Sequence, residues 1–149
     1  MQYVGHILLA DDDGDYVVLI QEALHQAGMF NPVEVVSNGL EAVEFLKGDG
    51  AYSNLAPHPP PAMVILDLML PIKHGYEVLR WIRLQPELNT IPVVILSGSG
   101  FENEARVAYD LGASAYLVKP AQFQHLVEAI ERLRDRFPAR VQPFAETAH

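Results

Sequence analysis

The chain alternates between short, almost wholly apolar runs and longer stretches whose apolar residues recur every three or four positions. His6-Ile7-Leu8-Leu9-Ala10 reads as a first strand, closed by Asp11-Asp12-Asp13. Helical spacing follows from Asp15 to Ala27, with Tyr16, Ile20, Ala23, Leu24 and Ala27 on one side and Gly28 as the stop. Val33-Glu34-Val35-Val36 is short and β-branched, hence a second strand, and Ser37-Asn38-Gly39 is a turn. A helix over Leu40 to Lys47 turns Ala42, Val43, Phe45 and Leu46 inward. The third strand lies in Met63-Val64-Ile65-Leu66-Asp67-Leu68-Met69-Leu70-Pro71. It precedes a helix from Tyr76 to Leu84 with Val78, Leu79 and Ile82 inward and Trp81 in a packing role. Pro92-Val93-Val94-Ile95-Leu96 is the fourth strand, ending at Ser97-Gly98-Ser99-Gly100. A weakly apolar helix from Glu102 to Leu111 stops at Gly112. Ala115-Tyr116-Leu117-Val118 is the fifth strand, ending at Lys119-Pro120. The clearest amphipathic helix runs from Gln122 to Phe137, with Phe123, Leu126, Val127, Ile130, Leu133 and Phe137 on one face.

Five strand–helix pairs in this order imply a parallel sheet covered by helices on both faces. The near-continuous apolar strands agree, because parallel strands are buried on both sides. Residues 48–62 break the rhythm with Gly48, Gly50, Asn54, Pro57, Pro59, Pro60 and Pro61 and read as an inserted loop, in which His58 has no second ligand nearby. Residues 1–137 are expected to form one domain, followed by an extension over 138–149.

Composition narrows the function. A net charge of -9 argues against nonspecific binding to nucleic acid or anionic lipid. The absence of cysteine excludes disulfides and cysteine-based zinc sites and favours a cytoplasmic address. The N-terminus lacks the features of a secretory signal, and no apolar run approaches the roughly 20 residues that span a bilayer.

The informative feature is Asp67, a lone carboxylate at the end of an apolar strand, where desolvation is costly. In a parallel sheet ligands gather at the carboxyl ends of the strands. That edge would bring together Asp11, Asp12 and Asp13, then Asp67, then Ser97, Gly98 and Ser99, then Lys119. Clustered carboxylates repel one another unless a divalent cation joins them, and a few oxygen ligands completed by water suit Mg²⁺. A lysine and a hydroxyl beside them suit phosphoryl oxygens. The set therefore points to a phosphoryl group on a carboxylate, with Asp67 as nucleophile and Mg²⁺ and Lys119 balancing charge. Taken singly the residues are ordinary, and Asp13 or Asp15 could serve only to cap the next helix.

The motifs Ile7-Leu8-Leu9-Ala10-Asp11-Asp12-Asp13, Val64-Ile65-Leu66-Asp67-Leu68-Met69-Leu70-Pro71 with Gly75, Val94-Ile95-Leu96-Ser97-Gly98 and Gly112-Ala113-Ser114-Ala115-Tyr116-Leu117-Val118-Lys119-Pro120 resemble those of two-component response-regulator receiver domains, the chemotaxis-type single-domain regulators among them. Thirty residues separate Asp67 from Ser97 and 52 separate it from Lys119, which fits. The resemblance implies a doubly wound, flavodoxin-like (βα)5 fold with strand order 2-1-3-4-5. It implies that Asp67 accepts a phosphoryl group from a histidine kinase. Asp12 would ligate Mg²⁺ directly, Asp11 through water, and Met69 by its backbone carbonyl. Lys119 would pair with the phosphoryl group, Ser97 would be the switch hydroxyl, and Tyr116 the aromatic that moves with it. The Lys119–Pro120 bond would be cis.

Ser97 stands where Thr is commoner in the family, and Gly98 where Ala is usual. The 48–62 insertion, the Asn31-Pro32 turn and the C-terminal extension are similar to the response regulators that partner bacterial phytochromes. There the extension helps form a homodimer. Phe137, Val141 and Phe144 could serve here, a frayed tail being the alternative. The residues after Phe137 are too few for a DNA-binding module, so output is expected through a downstream protein or onward phosphotransfer. No DNA or membrane partner and no turnover beyond the chain's own phosphorylation and dephosphorylation are expected. An aspartyl-phosphate phosphatase of haloacid-dehalogenase type is the alternative, but its acid–base Asp is replaced by Met69. An FMN carrier on the same fold would need a glycine- and hydroxyl-rich loop where Asp11-Asp12-Asp13 stands. A receiver that only binds would not need the full set of site residues.

Overall fold

The computed structural model describes residues 5–48 and 60–137. The centre of the inserted loop, His58 and the C-terminal extension with Val141 and Phe144 lie outside the described residues. Ten elements alternate: β1 (Ile7–Ala10), α1 (Gly14–Gln26), β2 (Val33–Val36), α2 (Gly39–Lys47), β3 (Met63–Asp67), α3 (Gly75–Leu84), β4 (Val93–Ser97), α4 (Glu102–Asp110), β5 (Ala115–Val118) and α5 (Phe123–Arg136). The strands form one parallel sheet in the order β2-β1-β3-β4-β5, as the flavodoxin-like reading expects.

Successive strand residues face opposite sides of the sheet, so the pleat sorts each apolar run into two cores. Ile7, Leu9, Met63, Ile65, Val94, Leu96 and Ala115 pack with α1 and α5. Leu8, Ala10, Val64, Leu66, Val93 and Ile95 pack with α2, α3 and Ala108 of α4. Both sides being apolar explains why β1, β3 and β4 show no polar alternation.

Helix boundaries fall where side chains satisfy the free N–H groups of the first turn. Asp13 accepts from the backbone N–H of Asp15 and Tyr16 and so caps α1, one of the two residues considered for that task. Asn38 caps α2, and His74 caps α3 in a reciprocal capping box with Glu77. These caps start the helices at Gly14, Gly39 and Gly75, each one residue before the apolar pattern. Val17 rather than Tyr16 is the first fully buried residue of α1. Pro92 is excluded from β4 because it has no N–H for the ladder, although its carbonyl accepts from Val64.

Two strand ends extend further than the apolar pattern suggested. Asp67 and Ser97 are the last residues of β3 and β4, not the first residues beyond them. Asp67 pairs with Leu96 and Ser97 with Val118, and the Lys119 N–H donates to the Ser97 carbonyl. Asp67 and Ser97 are thus fixed by ladder bonds rather than by loops.

Gly75 lets the start of α3 close on the end of β3. Its N–H donates to the Leu68 carbonyl, and a Cβ there would stand 2.7 Å from the Asp67 carbonyl oxygen and 2.9 Å from the Leu68 Cα. Both obstacles are backbone, so neither can swing aside. Gly75→Ala should destabilise the fold by about 1–3 kcal/mol, measured as a lower urea midpoint at unchanged m-value.

Candidate functional site

The register that aligns the strands also assembles the site. Asp11 follows Ala10, which pairs with Leu66, the residue before Asp67. Lys119 follows Val118, which pairs with Ser97. By the pleat, Asp11, Asp67 and Lys119 share the α1–α5 side, whereas Ser97 and Tyr116 share the α4 side.

On the first side, the Lys119 Nζ lies 3.0 Å from Asp11 Oδ2 and 3.2 Å from Asp67 Oδ1. Asp11 and Asp67 are only 2% and 7% exposed. Asp11 Oδ1 also accepts the backbone N–H of Asp13, so both of its oxygens are engaged. Asp12 is exposed. One oxygen from each of Asp11, Asp12 and Asp67 comes within 4.8 Å of the others, a fit for a hard cation that keeps several waters. Among them Asp12 is the best placed for direct ligation, because neither burial nor an ammonium competes for it.

Burial pushes the Asp67 carboxyl above the ordinary value; Lys119 opposes this, and the charges of Asp11 and Asp12 add to it. Burial works against the Lys119 ammonium, but the bond to Asp11 and the charges of Asp11 and Asp67 outweigh it and hold its pKa above the ordinary lysine value. Lysine thus stays charged while the Asp67 carboxylate stands in a site that disfavours its charge. Such a carboxylate gains from a cation or from losing its charge.

Two neighbours were not foreseen as part of the site. Tyr16, read as an inward residue of α1, lays its ring 4.6 Å under the Lys119 Nζ, and its hydroxyl is buried without a partner among the described residues. Burial raises its pKa. Its helical spacing gave no hint of this, since the contact spans the distance between α1 and β5. Glu104, read only as part of a weakly apolar helix, accepts from Ser97 and Tyr116 at 2.9 and 3.0 Å.

Met69 is 67% exposed, two residues beyond Asp67. A Cβ at Gly98 would meet nothing within 4 Å, so the protein itself does not require glycine there. Pro120 is half-buried beside Lys119. In the loop after Asp67, Ile72 has φ 69°, alone among described non-glycine residues in having a positive φ, and is 73% exposed. The Lys73 N–H reaches back to the Pro71 carbonyl at 2.7 Å across it, a tight three-residue turn that strains a β-branched residue.

A cation-ready carboxylate cluster with a paired lysine, at the carboxyl edge of a 2-1-3-4-5 sheet, defines the class as a signalling receiver. Residues 7–131 match the response regulator receiver domain family, and the chain belongs to it. It is 35% identical over 125 residues to the response regulator Rcp1 of Synechocystis, covering 84% of this chain and 83% of that protein. A solved structure of Rcp1 is a Mn²⁺-bound form. The phosphorylated cyanobacterial phytochrome response regulator RcpA superposes with a TM-score of 0.81 at 34% identity, over 92% of this chain and 96% of that one. The bacteriophytochrome response regulator AtBRR superposes at 0.75 with 37% identity, over 89% and 94%. The narrower likeness to phytochrome-associated regulators is therefore supported along most of the fold.

Asp67 titrates higher when folded, so between its unfolded and folded pKa values the folded chain holds more protons and stability falls as pH rises. At neutral pH its charge is a cost, so Asp67→Asn should raise the thermal midpoint of the metal-free protein by a few degrees in calorimetry. Mg²⁺ should raise the wild-type midpoint and act less on the variant. Ile72→Asn, which accepts positive φ more readily, should raise stability by about 1 kcal/mol in urea titration.

Proposed function

We propose that the chain is a phosphorylation-controlled switch that takes its phosphoryl group from a histidine kinase onto Asp67. A carboxylate oxygen of Asp67 attacks phosphorus, a new O–P bond forms, the N–P bond of the phosphohistidine breaks, and the imidazole nitrogen keeps the electron pair. The observation that carries this reading is the convergence of Asp11, Asp12 and Asp67 oxygens within 4.8 Å, with the Lys119 ammonium 3.2 Å from Asp67.

Each residue has a distinct task. Asp67 is the nucleophile. Lys119 stays protonated and offers its N–H donors to the transferring oxygens. Asp12, Asp11 and the Met69 carbonyl would hold Mg²⁺, which when bound neutralises charge on the phosphoryl oxygens. Tyr16 keeps the Lys119 ammonium aimed at the carboxylates. Ser97 donates to the phosphoryl group once it is in place, and Tyr116 reports the movement to the face made by α4, β5 and α5.

The kinase partner fits the bacteriophytochrome class, by likeness to RcpA and AtBRR. Output then passes to a downstream protein or a phosphotransfer partner in the cytoplasm, with a homodimer as the working unit. The chain's only turnover would be its own phosphorylation and dephosphorylation. With acetyl phosphate and Mg²⁺, intact mass spectrometry should show one added phosphoryl group. Asp67→Asn should abolish it, and Lys119→Met should reduce it by at least about tenfold. Wild-type protein that stays unlabelled would sink this reading.

A further inference from the structure

Glu104 stands in the first turn of α4, three residues after the N-cap Phe101. A glutamate there ordinarily folds back onto its own N-cap N–H. Here that N–H is turned toward Ser99 Oγ at 3.5 Å, and the Glu104 carboxylate points away to the sheet. One oxygen, Oε1, accepts from Ser99 Oγ at 2.8 Å, Ser97 Oγ at 2.9 Å and the Tyr116 hydroxyl at 3.0 Å. Its backbone carbonyl accepts from the Tyr76 hydroxyl at 2.8 Å. Glu104 thereby joins α3, the end of β4, α4 and β5. The hydroxyl donors hold its pKa below the ordinary glutamate value, Ser99 most and then Ser97 and Tyr116, so it is ionised at neutral pH.

A serine hydroxyl has one proton. In this structure the Ser97 proton is directed at Glu104. A phosphoryl group on Asp67 would need the same proton. We infer that Glu104 is a positioning residue that competes with the phosphoryl group for Ser97, and that giving up this bond loosens α4 from the sheet. The inference rests on the reading of Asp67 as phosphoryl acceptor and deepens it. The consequence is asymmetric. The carboxylate keeps Ser99 when Ser97 leaves and Tyr116 moves with it, so α4 is loosened rather than set free.

The test uses beryllium fluoride with Mg²⁺, a phosphoryl mimic, and reads the fluoride-complex concentration that half-saturates the protein by calorimetry. Hydrogen bonds to charged groups are the stronger kind, and Glu104 is only half-buried. Glu104→Ala should therefore lower that concentration about three- to tenfold. Glu104→Gln, which keeps shape and a weaker acceptor, should lower it less, and it carries the test if the alanine variant does not fold. In a Ser97→Ala background neither change should have any effect. An unchanged or weakened affinity in the single variants, or an effect that survives Ser97→Ala, would overturn the competition. Loss of all Mg²⁺-dependent binding by the wild type would instead overturn the phosphoryl-acceptor reading beneath it.

Discussion

The site depends on one geometric constraint: a parallel sheet whose strands pleat in register. Because β1, β3, β4 and β5 end at nearly the same level, residues as far apart as Asp11 and Lys119, 108 positions, become neighbours at one edge. Because side chains alternate, that edge has two faces. Asp11, Asp67 and Lys119 fall on the α1–α5 side and Ser97 and Tyr116 on the α4 side. A one-residue slip of β4 would carry Ser97 to the wrong face, so the apolar cores on both sides protect the register on which the chemistry rests.

The electrostatics of the edge are deliberately incomplete. Three carboxylates face one ammonium. Lys119 bridges the two buried ones, and removing it would leave both charged and unpaired. Burial still pushes Asp67 upward despite that bridge. The strained turn at Ile72 lies in the loop that leaves this carboxylate, and Gly75 presses α3 against its backbone. Strain and unbalanced charge therefore sit within a few residues of Asp67, held there by cores that are otherwise apolar.

Most of the fold was legible because both periodicities were clean. Apolar runs gave the five strands, and the recurrence of Val78, Leu79, Ile82 and of Leu126, Val127, Ile130, Leu133 gave the helices. Boundaries slipped by a residue where caps decided them, since Asn38 and His74 act through side-chain geometry that periodicity does not carry. The Asp11, Asp12, Asp67, Ser97 and Lys119 set was legible because strand ends are easy to place once the sheet is recognised. Tyr16 and Glu104 were not. Both sit on helices in patterns that look like packing or solvation, and their roles come from contacts with Lys119 and Tyr116, far along the chain, that no local spacing encodes.

The proposed switch requires the two faces of the edge to communicate, and the backbone offers little for that purpose. The ladder around Asp67 and Ser97 is continuous, so neither strand end can shift without breaking bonds on both sides. What can move is a hydroxyl. Ser97 is 2% exposed and lies in the last position of β4, beside Asp67 in the adjacent strand yet bonded to α4 through Glu104. Rotation of that one group changes which element it serves without any change in register. On the proposed switch, a rigid sheet and one rotating hydroxyl would together turn a change of charge at Asp67 into an altered helix contact, because the sheet itself does not yield.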